Sequence, residues 1–120
     1  RRLLRRGGRV AALVIEIPPG LDARDRRRAR AAGPTGVATS STSASLLRSA
    51  GLDDIEQIDL TRQYRATAAT WLRERQRHER AYRAAIGDDL YEERIMNGRI
   101  AIAAIDDGLL SRMLYVARRT

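Results

Sequence analysis

The sequence predicts an α/β fold in which helices cover a small sheet. Three observations carry that expectation. The runs VAALVIEI (residues 10–17) and MLYVA (residues 113–117) are apolar on both alternating faces. Such strands suit the interior of a sheet better than a one-sided antiparallel face. Most of residues 62–109 repeats apolar side chains at helical three- and four-residue steps. A third short run, IEQIDL at residues 55–60, mixes apolar and charged positions as an edge strand does. Strands alternating with helices in this way define a layered α/β unit. At 120 residues there is room for a single domain, residues 1–120, with a modest core.

The elements follow in order. Pro18-Pro19-Gly20 stops the first strand, because proline cannot donate to a ladder. Asp22 is placed to cap a short Arg-rich helix that Gly33-Pro34 ends. Residues 33–45 (GPTGVATSSTSAS) read as a polar loop of small residues, and Ser40 to Ser43 have no neighbouring base in sequence. Residues 43–50 form a short helix whose left-handed terminus falls on Gly51. After the edge strand, Thr61 is positioned to cap one long helix over residues 62–86. Its face carries Tyr64, Ala68, Trp71, Leu72, Tyr82 and Ile86. Gly87 breaks it, and Asp89 with Glu92 forms a capping-box pattern for the next helix. Asn97-Gly98 inside that helix permits a kink or the close approach of another backbone. Asp106-Asp107-Gly108 then turns the chain into a last strand over residues 112–118.

Charge is uneven. All 23 basic residues are Arg, and the formal net charge is +8. Most of the excess lies in the first 30 residues, where DARDRRRARA (residues 22–31) reads most simply as the solvated face of a helix. A basic patch of this kind draws anions or nucleic acid, yet no aromatic residue interleaves those arginines to stack on a base. There is no cysteine, which fits a reducing cytoplasmic location, and no apolar stretch reaches the ~20 residues of a membrane helix. The basic-then-apolar start does not read as a signal peptide, since Gly7-Gly8 interrupts it and Pro-Pro ends it.

Recognisable catalytic motifs are absent. No Gly-x-Gly-x-x-Gly or P-loop occurs, and one His without Cys makes no metal set. His78 lies in RERQRHERAYR and reads as an exposed helix residue. The acid pairs Asp53-Asp54, Asp88-Asp89, Glu92-Glu93 and Asp106-Asp107 fall at turns and helix starts, where carboxylates cap backbone N–H groups. Two features are sharper. Glu16 ends an otherwise apolar strand, and ligands of open α/β sheets bind beyond the carboxyl ends of strands. There its carboxylate could orient or deprotonate a substrate, or simply be an exposed end residue. Tyr64, Trp71 and Tyr91 could line a pocket over the same edge, or pack helices together. These four are the substrate-side candidates; no residue is assigned as catalytic, cofactor-binding or metal-binding.

Three passages resemble class I S-adenosylmethionine-dependent methyltransferases of the small-molecule type. RRLLRRGGRVAALVIE resembles the Leu-x-Pro-Gly-Gly-x-Leu passage that leads into their fifth strand, with Arg6 in place of the proline. LLRSAGLDDIEQIDLT (residues 46–61) resembles their Leu-Leu-x-x-Ala-Gly-Phe helix and sixth strand, with Leu52 in place of Phe. SRMLYVARR (residues 111–119) looks like their last strand, which turns back antiparallel between the fifth and sixth. The stretch 62–109 is similar to the inserts that such enzymes place over the substrate side.

The resemblance implies a partial Rossmann-like sheet of three strands, ordered first-third-second, with the last strand antiparallel. It implies S-adenosylmethionine as cofactor of the full-length family. In that family the glycine loop, the ribose-binding acid and the contacts after the fourth strand lie upstream of the position matching Arg1. The chain is therefore expected to complete a sheet and cover a substrate pocket, binding no cofactor tightly and being inactive alone. A missing N-terminal half, or a partner chain, is expected to pair with strand 10–17, and the methyl acceptor is left open. Two other expectations come from other classes: a basic module binding nucleic acid or an acidic partner, and self-association through the long helices.

Overall fold

In the computed structural model, which describes residues 4–34, 37 and 43–120, strands β1 (Arg9–Glu16), β2 (Asp53–Asp59) and β3 (Ser111–Arg118) lie side by side in the order β1-β3-β2. β3 runs antiparallel to both neighbours, pairing Leu13 with Leu114 on one side and Ile58 with Leu114 on the other. This is the order and direction that the methyltransferase resemblance implies. Among the described residues five helices accompany the sheet: α1 (Ala23–Ala32), α2 (Ser43–Ser49), α3 (Thr61–Arg77), α4 (Glu79–Ile86) and α5 (Asp88–Asp106). Most of the small-residue loop, including Ser40 to Thr42, lies outside the described residues.

Local chemistry explains the helix ends. Asp22 accepts a hydrogen bond from the Asp25 backbone N–H at 2.7 Å, closing the start of α1 as expected. Gly51 and Gly108 both take positive φ (+76° and +73°) just after α2 and α5. In each case the glycine N–H and the next N–H return to carbonyls of the last turn: Gly51 to Arg48 and Leu52 to Leu47, Gly108 to Ile105 and Leu109 to Ala104. The second of these turns drives Leu109 and Leu110 into the core.

Two expected caps form differently. The Thr61 hydroxyl accepts from the Arg112 backbone N–H at 3.2 Å, stitching α3 to β3. The Thr61 N–H is instead satisfied by Asp59, whose carboxyl is held below its ordinary value by the Thr61 hydroxyl and then by that N–H. The capping box at Asp89 and Glu92 does not form: α5 begins at Asp88 behind Gly87 (φ +86°), and Glu92 is taken by Arg83.

The long helix expected over residues 62–86 is bent into α3 and α4 at His78, where ψ rises to 30°. Hydrogen bonding continues through the bend, from His78 N–H to Glu74 and from Tyr82 N–H to His78. The bend lays α4 against the start of α5. Arg83 fastens the joint, reaching Glu79, Asp88 and Glu92 and standing 4.3 Å over the Tyr91 ring.

The core lies at one end of the sheet. Ala29 of α1, Ala104 and Ile105 of α5, and Leu109 and Leu110 form the buried cluster, with Ile15, Ile17, Tyr64 and Ala68 packed against it. This corrects one expectation, that strand 10–17 is covered on both faces. Leu13 is 51% exposed and Ala11 is also exposed, while Val10, Ala12 and Val14 on the other face are half-buried. The helices gather over the carboxyl end of β1, so among the described residues its middle keeps one uncovered face. The outer edge of β1 likewise has no partner strand among them.

α3 and α5 run antiparallel and meet at Gly98, where a Cβ would stand 3.3 Å from the Leu72 side chain. A methyl group fits there if Leu72 gives slightly, and alanine gains helix propensity. Gly98→Ala is therefore expected within about 1 kcal/mol of the original protein, whereas Gly98→Val should cost about 1–3 kcal/mol through overpacking. Urea unfolding of both variants checks this; equal midpoints would show that the contact is slack.

Candidate functional site

Between α3, α5 and the carboxyl end of β1 lies a cleft of about 600 Å³. α3 supplies one wall through Tyr64, Thr67, Ala68, Trp71 and Arg75, a stripe at three- and four-residue steps. α5 supplies the facing wall through Arg94, Asn97, Gly98, Ile100 and Ala101. Ile15, Arg112 and the end of α1 close the sheet side. Ile15 pairs directly with Arg112 in the β1–β3 ladder, so both side chains project to the same face of the sheet.

Aromatic planes and guanidinium groups dominate the polar character of this cleft. The Arg112 guanidinium stands 5.4 Å from the Tyr64 ring centroid, and that of Arg75 stands 5.5 Å from Trp71. Burial pushes the Tyr64 phenol above its ordinary pKa, with the Arg112 charge opposing. At neutral pH Tyr64 therefore keeps its proton and can donate a hydrogen bond. No Asp, Glu or His is among the described residues lining the cleft. What the arrangement can do is bind and orient a small, largely apolar molecule with charge or ring character.

The structure brings two of the four candidate residues together. Tyr64 and Trp71 share the cleft wall, and Trp71, at 60% exposed, is a wall residue and not part of the core. Tyr91 sits elsewhere, buried under Arg83 at the α4–α5 joint, with its hydroxyl 3.5 Å from the Arg75 carbonyl oxygen. Glu16 lies on the opposite face of the sheet from Ile15. Its carboxylate accepts from the Tyr115 hydroxyl and from the Ser43 hydroxyl, each at 2.7 Å, tying β1, β3 and α2 together. Ser111 donates to its backbone carbonyl at 3.3 Å.

Burial, and next the hydrogen bond to Glu16, pushes the Tyr115 phenol up to about 12 from the ordinary 10.0. Folding thus holds a proton that the unfolded chain releases. The stability this supplies is complete below about pH 10 and is lost as the pH rises toward 12. Urea midpoints measured from pH 9 to 12 should fall, and should fall less steeply in Tyr115→Phe; identical slopes would contradict the assignment.

Sequence reasoning missed Arg75, Arg94 and Arg112. Arg75 did carry a signal: it extends the stripe of Tyr64, Ala68 and Trp71 by one more turn. Arg112 carried none, because its place over Tyr64 depends on β3 pairing beside β1. His78 is exposed and stands 3.5 Å from Glu74, away from the cleft.

No protein-family model matches the sequence, and no curated protein matches it. Solved structures do match, and they define the class of fold: it is the fold of part of an S-adenosylmethionine-dependent methyltransferase. The chain is similar to phosphoethanolamine N-methyltransferase 2 of Haemonchus contortus, solved with phosphomonomethylethanolamine and S-adenosylhomocysteine, with a TM-score of 0.81 and 14% identity. That match covers 98% of this chain and 28% of the other. The same enzyme solved with S-adenosyl-L-methionine gives a TM-score of 0.81 and 14% identity over 98% of this chain and 27% of that one. The chain thus spans little more than a quarter of the length of these solved relatives. Among the described residues no helix is long and apolar enough to cross a membrane.

Proposed function

We propose that residues 1–120 form the acceptor side of a small-molecule methyltransferase that uses S-adenosylmethionine. The observation that carries this reading is the Tyr64–Trp71 cleft at the carboxyl end of β1, within a chain whose fold matches a methyltransferase over 98% of its length. Methyl transfer needs the acceptor atom held in line with the sulfonium methyl group. The cleft walls supply the acceptor's half of that alignment.

The cofactor's half does not fit these residues. β1 is followed by Pro18-Pro19-Gly20, and prolines offer no N–H groups to a nucleotide. No glycine-rich strand-to-helix turn occurs elsewhere in the sequence. The cofactor is therefore held by polypeptide outside these residues, which adds a strand along the free edge of β1. The 120-residue chain alone neither binds S-adenosylmethionine tightly nor transfers its methyl group. It works in the cytoplasm, a reducing compartment that a chain without cysteine suits.

The test uses the gene product purified from its own cells, with methyl-labelled S-adenosylmethionine and a deproteinised extract of the same cells. Label should pass into small molecules with the native product and not with residues 1–120 alone. No transfer by the native product would contradict the proposal.

A further inference from the structure

We infer that the methyl acceptor is an anion, and that its carboxylate or phosphate group is seated between Arg75 and Arg94 at the outer end of the cleft. The inference rests on the acceptor-side reading above and specifies the substrate class of that site.

Two contacts between α3 and α5 fix where Arg94 stands. Leu72 meets Gly98, and the Tyr91 hydroxyl reaches the Arg75 carbonyl. Arg94 lies between Tyr91 and Gly98 on α5, so it faces the Leu72–Arg75 turn of α3. Both arginines line the cleft, and Trp71 lies one helical turn from Arg75 on the side toward Tyr64. Arg112 stands at the other end, over Tyr64.

Charge balance leaves this end of the cleft positive. Arg28, Arg65 and Arg83 each pair with carboxylates at neighbouring elements. Arg75 and Arg94 form no ion pair among the described residues, and no described acid lines the cleft beside them. Their helical neighbours offer none: three and four residues either side of Arg94 are Leu90, Tyr91, Asn97 and Gly98. Glu79, four residues after Arg75, is already held by Arg83. Two like charges beside an apolar wall repel, and an anion between them relieves that repulsion with charge-assisted hydrogen bonds. The Trp71 plane holds the Arg75 guanidinium at 5.5 Å and leaves its fork available. From Arg75 to Tyr64, α3 covers about 16 Å at 1.5 Å per residue. A small acceptor anchored at Arg75 and Arg94 thus lies along Trp71 with its other end toward Ile15 and the sheet, where ligands of such folds react.

Trp71 is the sole tryptophan, so its emission reports directly on this cleft. Residues 1–120 are titrated at low ionic strength with benzoate, phenyl phosphate and neutral benzamide. At least one anion should shift the emission saturably and bind at least about tenfold tighter than benzamide, the factor one charge-assisted hydrogen bond supplies. The benzoate and phenyl phosphate arms tell a carboxylate acceptor from a phosphate ester. The Arg75→Gln/Arg94→Gln double variant should lose that preference, with helix content unchanged by circular dichroism, and Arg94→Lys should retain part of it. Equal binding of benzamide and both anions overturns the inference. So does an unaltered double variant, or a loss produced by Arg112→Gln alone. Anion binding needs no methyl transfer, so its failure in a protein whose native product transfers methyl groups removes this inference alone. Anion binding beside an inactive native product removes the methyltransferase reading alone.

Discussion

Leu110→Ala is expected to lower the unfolding free energy by about 3–5 kcal/mol. Leu110 is 1% exposed, and the Gly108 turn leaves it no alternative packing. Its neighbours Ala29 and Ala104 are too small to collapse into the space. A domain of this size holds a total of about 5–15 kcal/mol, so the variant loses a large share of it. Urea denaturation followed by far-ultraviolet circular dichroism measures the loss. The cleft would go with it, because Ile15, Tyr64 and Ala68 rest on the same cluster. A loss below about 1 kcal/mol would mean that the buried cluster is not what holds α1, α5 and the sheet together.

Glu16→Ala should come second, at about 2–3 kcal/mol. The substitution removes the carboxylate acceptor of the Tyr115 hydroxyl, whose residue is 2% exposed, and leaves it only the Ser43 hydroxyl beside it. It also frees Ser43, the first residue of α2, from β1. Glu16→Gln keeps an acceptor oxygen at similar size and should lose about half as much. Tyr115→Phe provides the cycle: once the phenol is gone, removing Glu16 strands less, so the double variant should cost less than the sum of the singles. Strict additivity of the two would show that the hydrogen bond carries no coupling. Binding of anions at the cleft should survive Glu16→Gln, because Glu16 faces away from it.

Much of the fold was legible because it rests on short-range rules. Apolar runs marked β1 and β3, Asp22 marked the start of α1, and Gly51 and Gly108 marked helix ends. The strand order was not legible in periodicity. It came from three passages that resemble one family in one order. Patterns of apolar spacing also could not separate a cleft wall from a core. Trp71 and Leu72 are adjacent on one stripe, yet Leu72 packs on Gly98 while Trp71 stands 60% exposed. The two-sided apolar character of residues 10–17 predicts burial on both faces, but burial depends on what stacks there. The helices collect at one end of the sheet and leave Leu13 open. Glu16 does end its strand, as its sequence position predicts. Strand alternation then puts it and Ile15 on opposite faces, which decides that only Ile15 meets the cleft. The arginine pair at the outer end was hidden among 23 arginines, since nothing local separates Arg75 and Arg94 from the others.

The central claim is that the Tyr64–Trp71 cleft receives the methyl acceptor and not the cofactor. Steady-state kinetics of the native gene product carrying Trp71→Ala test this most directly, with acceptor and S-adenosylmethionine varied in turn. Losing one stacked aromatic wall should raise the acceptor KM by about tenfold or more and leave the dissociation constant for S-adenosylmethionine within about twofold. Weakened cofactor binding with an unchanged acceptor KM would contradict the account.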